Sequence, residues 1–214
     1  LHADVQRGQI HLAIKIISSK TRLLIAEQME LMVRGPYQNG IQGIREPGIR
    51  PGIDATSLTR RDQKEGPILM ITRGIGIAPG ILAASGLQGN RRVDLMVDPE
   101  KITTELVEDY RVPSCTLQYI SLVEEETLHR IREQCREVFY QRVFLLMSDY
   151  HLKQVGALIR EVLPNAKLCL SNNFRLCCGE GICGSCSATT NQGENIKMCK
   201  CQMSAGDLFD RKMI

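Results

Sequence analysis

The chain has 214 residues, 43% of them apolar, with a net charge of +3, nine cysteines and no tryptophan. That length and apolar content suffice to bury a sizeable core, and the small net charge, with no long basic block and no aromatic interleaving, argues against nucleic-acid binding. There is no apolar leader-like segment and no run of about eighteen apolar residues, so neither secretion nor membrane insertion is expected and the reading is cytoplasmic.

In chain order, "QIHLAIKII" (Gln9 to Ile17) alternates apolar and polar residues as a half-buried strand does. "MELMVRGPYQNG" reads as a second strand entering a turn. Residues 1–43 are therefore expected to be β structure. Residues 44–66 are rich in Gly, Pro and charge without a sustained period, which marks a linker or insertion. From Pro67 the pattern changes. "PILMIT" is a short continuous apolar run of the kind that forms a buried parallel strand, and "PGILAASGLQ" behind it reads as a helix. "RRVDLMVD", "CTLQYISLV" and "RVFLLMS" supply three further strands, with amphipathic helices at "EETLHRIREQCREVF" and "YHLKQVGALIREVL". Strands alternating with helices predict a parallel α/β sheet over residues 67–166. The acid run Glu124 to Glu126 suits the first turn of a helix, where negative charge meets the macrodipole. His2, His11, His129 and His151 are isolated in sequence and are expected at the surface or as caps.

Between the first predicted strand and helix, "TRGIGIAPG" holds Gly74 and Gly76, with Pro79 where a G-x-G-x-x-G fingerprint has its third glycine. Such a turn lets phosphates approach backbone N–H groups at a helix N-terminus. Glycines also occur in βα turns for steric reasons alone, so the motif by itself is weak.

The last segment, residues 167–214, carries most of the thiols: Cys177, Cys178, Cys183, Cys186, Cys199 and Cys201. In a reducing compartment, thiols this dense point to a metal rather than to disulfides. Cys178-x4-Cys183-x2-Cys186, followed by Cys199 or Cys201, is the plant-type iron–sulfur spacing. A cluster needs backbone N–H groups aimed at its sulfurs, and Gly179, Gly181 and Gly184 allow a loop to wrap closely enough to supply them. A zinc site on Cys183, Cys186, Cys199 and Cys201 is the competing reading, but it leaves Cys178 and the glycines unexplained. Cys177 reads as a spare, and Cys115, Cys135 and Cys169 as small buried hydrophobes.

"GPYQNG", then "GIGIAPG" after a strand, then "CGEGICGSC" and "KMCK", follow one another as they do in the ferredoxin-reductase-like electron-transfer subunits, and the chain resembles that family over nearly its whole length. The subunits that bring FAD and a [2Fe-2S] cluster to dihydroorotate dehydrogenase are similar in the same order. The resemblance implies a flavin-binding β-barrel, of which residues 1–43 are the C-terminal part, then a nucleotide-binding-like α/β domain and a small [2Fe-2S] domain. It implies that the barrel is completed upstream. Thr21 of "SSKTRLL" would approach the flavin phosphates, and Gly35, Pro36, Asn39 and Gly40 match the turn that closes the barrel. Gly74, Gly76 and Pro79 would approach a nicotinamide cofactor, NAD(P)H, although Thr72 and Arg73 replace the family's first two glycines there. Met147, Ser148 and Asp149 replace its C-G-P turn. Cys178, Cys183, Cys186 and Cys199 would ligate the cluster, with "IKMCK" favouring Cys199 over Cys201. The implied function is electron transfer between FAD and a larger partner subunit of an oxidoreductase complex. The alternative is an adaptor that keeps the cluster but has lost nicotinamide and flavin binding.

Overall fold

The computed structural model describes residues 2–4, 7–11, 19, 22–23, 66–87, 92–102, 104–110, 115–171, 178–190 and 192–201. Thr21, Gly35, Pro36, Asn39, Gly40 and Cys177 lie outside these residues, as does the strand expected over "MELMVRGPYQNG". Near the start, β1 (His2–Asp4) and β2 (Gln9–His11) pair antiparallel, with His2 opposite His11.

The main body is an α/β sheet of five parallel strands in the order β5-β4-β3-β6-β7. In chain order it comprises β3 (Ile68–Arg73), α1 (Ile77–Gly86), β4 (Val93–Asp98), α2 (Glu105–Asp109), β5 (Cys115–Tyr119), α3 (Glu125–Glu137), β6 (Arg142–Leu146), α4 (Asp149–Val162) and β7 (Lys167–Ser171). β3 is buried on both faces because alternate side chains enter different cores. Leu69 and Ile71 pack with Val143 and Leu145 of β6 beneath Ile131 and Cys135 of α3 and Leu152, Val155 and Ile159 of α4. Ile68 and Met70 pack with Leu95, Val97 and Phe144 against Ile77, Ile81 and Ala84 of α1 and Val107 of α2. The helices thus lie on both faces, α1 and α2 on one and α3 and α4 on the other, as a doubly wound sheet requires.

The predicted helix over residues 125–139 is α3, and it begins where the acid run placed it: Glu124 is the N-cap and Glu125 and Glu126 lie in the first turn. Its buried Thr127, Ile131 and Cys135 recur every fourth residue, so one stripe faces the sheet. The strand expected over residues 115–123 stops at Tyr119, because the chain turns there and the Leu122 N–H donates to Asp98 Oδ2 at 2.7 Å. β7 is an edge strand that the sequence pattern did not bring out. It pairs with β6 from Arg142↔Lys167 to Leu146↔Ser171, past residue 166, where the α/β segment was expected to close.

One polar network sits inside this body. Asp94 of β4, 1% exposed, takes two bonds from Arg92, at 2.9 and 2.8 Å, and one from the hydroxyl of buried Tyr140. Gln134 Nε2 donates to that hydroxyl at 2.7 Å. A buried carboxylate is tolerable only when its lone pairs are met in this way.

Candidate metal centre

The cysteine-rich segment is organised by a short hairpin. β8 (Ser187–Thr189) and β9 (Asn195–Lys197) pair antiparallel with Ser187 opposite Lys197. Cys186 immediately precedes β8 and Cys199 follows β9 in a 3-10 turn, Met198–Lys200, so the register itself brings these two cysteines together. The Met198 N–H donates to the Cys186 carbonyl at 2.9 Å and closes the pair. The Cys186 and Cys199 sulfurs lie 3.2 Å apart, and the residues are 1% and 4% exposed. Two thiolates on one tetrahedral metal, each about 2.3 Å from it, stand about 3.8 Å apart, so this pair needs only a small opening to share an ion.

Cys178 and Cys183 form the other pair, on the loop that precedes the hairpin. The Glu180 N–H donates to Cys178 Sγ at 3.3 Å. The Cys178 thiol is lowered to about 6, chiefly by the N–H of Cys183, then by the N–H of Glu180, the Cys183 thiol and the N–H of Ile182. A loop can aim successive N–H groups at one sulfur only by taking left-handed backbone, and Gly179 and Gly181 do so at φ 69° and 75°. Gly184 repeats this at φ 73°, where its carbonyl accepts from Ser187 N and Oγ at 3.0 and 2.8 Å. The two cysteine pairs sense one another. The N–H of Cys199, followed by its thiol, lowers Cys186, while the bond to Cys186, then burial, raises Cys199. The Gly181 N–H also reaches Cys199, and a charge on Cys178 is felt at both Cys186 and Cys199. Lys200 Nζ to Glu180 Oε2, 3.2 Å, ties the 3-10 turn to the loop.

Cys201 stands apart from this arrangement. Its Sγ donates to the Lys197 carbonyl at 3.4 Å, and burial, then the neighbouring Cys186, pushes its thiol up. Among the described residues no group of three or more His, Cys, Asp or Glu side chains is placed to hold a metal ion. The four thiols lie as two pairs, Cys186 with Cys199 and Cys178 with Cys183.

The glycine turn lies elsewhere, at the carboxyl end of β3. Gly74 and Gly76 form a 3-10 turn leading into α1, with Pro79 in that helix's first turn. Packing explains one of these glycines. A Cβ on Gly76 would stand 2.0 Å from the Leu146 carbonyl oxygen of β6. Gly74 has φ 56°. Arg73 forms an ion pair with Asp98, which is 3% exposed, and its NH2 lies 4.0 Å from Glu100 Oε1. Beyond β6, Met147 is fully buried, and Ser148 occupies the N-cap position of α4 without a side-chain capping bond, its Oγ lying 3.0 Å from His151 Nδ1. The partners of Arg73 were not legible in sequence; the local hint was an acid, Asp98, closing the next strand and a second, Glu100, two residues beyond it.

No helix among the described residues is long and apolar enough to cross a membrane. No protein-family model matches the chain, and no curated protein matches it. Among solved structures, the C-terminal domain of a hydrogenase from Pyrococcus furiosus is similar over 50% of this chain and 92% of its own length, at 22% identity and a TM-score of 0.36. At that level the likeness carries no argument about fold or function.

Proposed function

We propose that this chain is an electron-transfer subunit of a multi-subunit oxidoreductase, holding a [2Fe-2S] cluster on Cys178, Cys183, Cys186 and Cys199 and passing electrons between a flavin and a larger partner subunit. The observation that carries the reading is the pairing of thiols: Cys186 with Cys199 across the hairpin, and Cys178 with Cys183 on a loop whose N–H groups converge on sulfur. Each iron of such a cluster takes two thiolates, and N–H donors around the sulfurs stabilise its negative charge. A bound cluster would supply one-electron transfer. The chain's own contribution would be to hold the ligands, to exclude water at the buried Cys186 and Cys199, and to leave Ile182, 85% exposed, at the loop surface.

The FAD part of the reading rests on the motif resemblance at Thr21, Gly35, Pro36, Asn39 and Gly40. A second reading, an adaptor that carries the cluster without nicotinamide chemistry, is favoured by one observation: the ion pair of Arg73 with Asp98 beside the glycine turn. Anaerobic purification followed by absorption and EPR spectroscopy tests both. A [2Fe-2S] EPR signal on reduction supports the cluster, a flavin band beside it supports the relay, and cluster absorption alone supports the adaptor. Zinc in place of iron, with no visible absorption, would overturn both.

A further inference from the structure

The strand order of the main sheet reverses between β3 and β6. An open α/β sheet receives anionic ligands at such a switch point, beyond the carboxyl ends of the strands and near the N-termini of the following helices. In this chain the mouth of that crevice is held by the chain's own charges. β4 ends on Asp98, whose carboxylate accepts the N–H groups of Leu122 at 2.7 Å and Glu100 at 3.0 Å and pairs with Arg73. That pairing neutralises Arg73, the residue immediately before the glycine turn. Glu100 then turns back over β3. It has φ 57°, a left-handed conformation that is costly for a residue with a side chain, and its Oε2 lies 2.7 Å from where a Cβ on Gly74 would stand. A carboxylate oxygen therefore sits directly against the glycine that a phosphate would have to approach. The first turn of α4 faces the same group of charges. His151 is lowered by burial, then by Arg73, while Asp98 and Glu100 act in the opposite sense.

We propose that Glu100, held by the Arg73–Asp98 pair, is an internal anion that fills the switch-point crevice and excludes the pyrophosphate of a dinucleotide. Arg73, Asp98 and Glu100 together carry one net negative charge at the mouth, so an incoming pyrophosphate meets repulsion as well as an occupied surface. The inference concerns the α/β sheet alone and does not depend on the cluster.

The test titrates the purified full chain with ADP-ribose, which carries the pyrophosphate without the nicotinamide ring, and with NADH, by calorimetry. Glu100→Gln removes the charge and keeps the side chain; Glu100→Gly removes both and also relieves the left-handed strain, so its melting temperature should not fall. Both variants should bind ADP-ribose with a Kd about tenfold or more below that of the wild type. Wild-type binding as tight as that of the variants, or no gain in either variant, would overturn the proposal.

Discussion

The Cys186 and Cys199 sulfurs meet at 3.2 Å although they stand thirteen positions apart in sequence, and the β8–β9 hairpin is what brings them together. Cys201, two residues further on, is turned to the Lys197 carbonyl instead. Cys199→Ser should therefore abolish the [2Fe-2S] EPR signal, as should Cys178→Ser, Cys183→Ser and Cys186→Ser. Cys201→Ser and Cys177→Ser should keep it. Retention in Cys199→Ser with loss in Cys201→Ser would assign the fourth ligand to Cys201.

Gly181 has φ 75°, and a Cβ there would stand 3.3 Å from Lys200 Cγ. Gly181→Ala should cost about 1–2 kcal/mol of loop stability through left-handed strain and shorten the lifetime of the cluster in air. Gly193, at φ 85° with nothing within 4 Å of a Cβ, carries the same backbone strain but no contact and lies away from the thiols. Gly193→Ala should leave the bleaching rate unchanged. Equal bleaching rates in the two variants would show that the loop does not protect the cluster.

At the βα turn the expected effects divide by what the added methyl would strike. Gly76→Ala drives a Cβ into the Leu146 carbonyl oxygen, which is backbone, and should cost about 3 kcal/mol. For a chain of this size that is a drop of about 6–12 °C in Tm. Gly80→Ala meets Thr72 Cγ2 at 2.4 Å, a buried β-branched side chain whose Oγ1 donates to the Met96 carbonyl, so about 1 kcal/mol of helix propensity offsets only part of that clash. Thermal unfolding should rank Gly76→Ala well below Gly80→Ala, and the reverse order would refute the contact.

Alkali should destabilise the sheet through two buried groups. Burial pushes the Cys135 thiol up to about 12 from its ordinary 9.0, and burial, then the bond to Asp94, raises the Tyr140 hydroxyl. A raised pKa contributes stability that is fully present below the unfolded value and is lost as pH rises towards the folded one. For Cys135 the window runs from about 9 to about 12, and each group adds a slope of up to about 1.4 kcal/mol per pH unit. Urea unfolding between pH 8 and 11 should show this fall, and Cys135→Ala together with Tyr140→Phe should flatten it. An unchanged slope in the double variant would remove these groups as the cause.

Native purification should recover the chain with at least one larger oxidoreductase subunit, since the proposed relay passes electrons across an interface. A stable monomer that turned over an organic substrate with NADH would count against the proposed function.

Four strands (β3 to β6) and three helices (α1, α3 and α4) of the main body were legible because they are written locally, whereas the short helix α2 was not expected. "PILMIT" and "RVFLLMS" are short apolar runs of the kind that a doubly covered parallel strand buries, and Thr127, Ile131 and Cys135 recur at the helical period. The thiol spacing and its glycines are local for the same reason, since a tight loop must take its ligands and its left-handed residues from one short stretch. β7 was not legible. "KLCLS" is a strand only because the edge of β6 offers it a ladder, 25 positions earlier in the chain.

The sequence by itself determined an α/β body and the spacing of Cys178, Cys183 and Cys186, because periodicity and ligand spacing reside in neighbouring residues. Only the tertiary structure decided which charges meet. Arg73, free in the sequence to face a phosphate, is held by Asp98 25 positions away, and Tyr140 reaches Asp94 across 46. A pairing between distant side chains depends on strand order and register, and no local pattern carries that information.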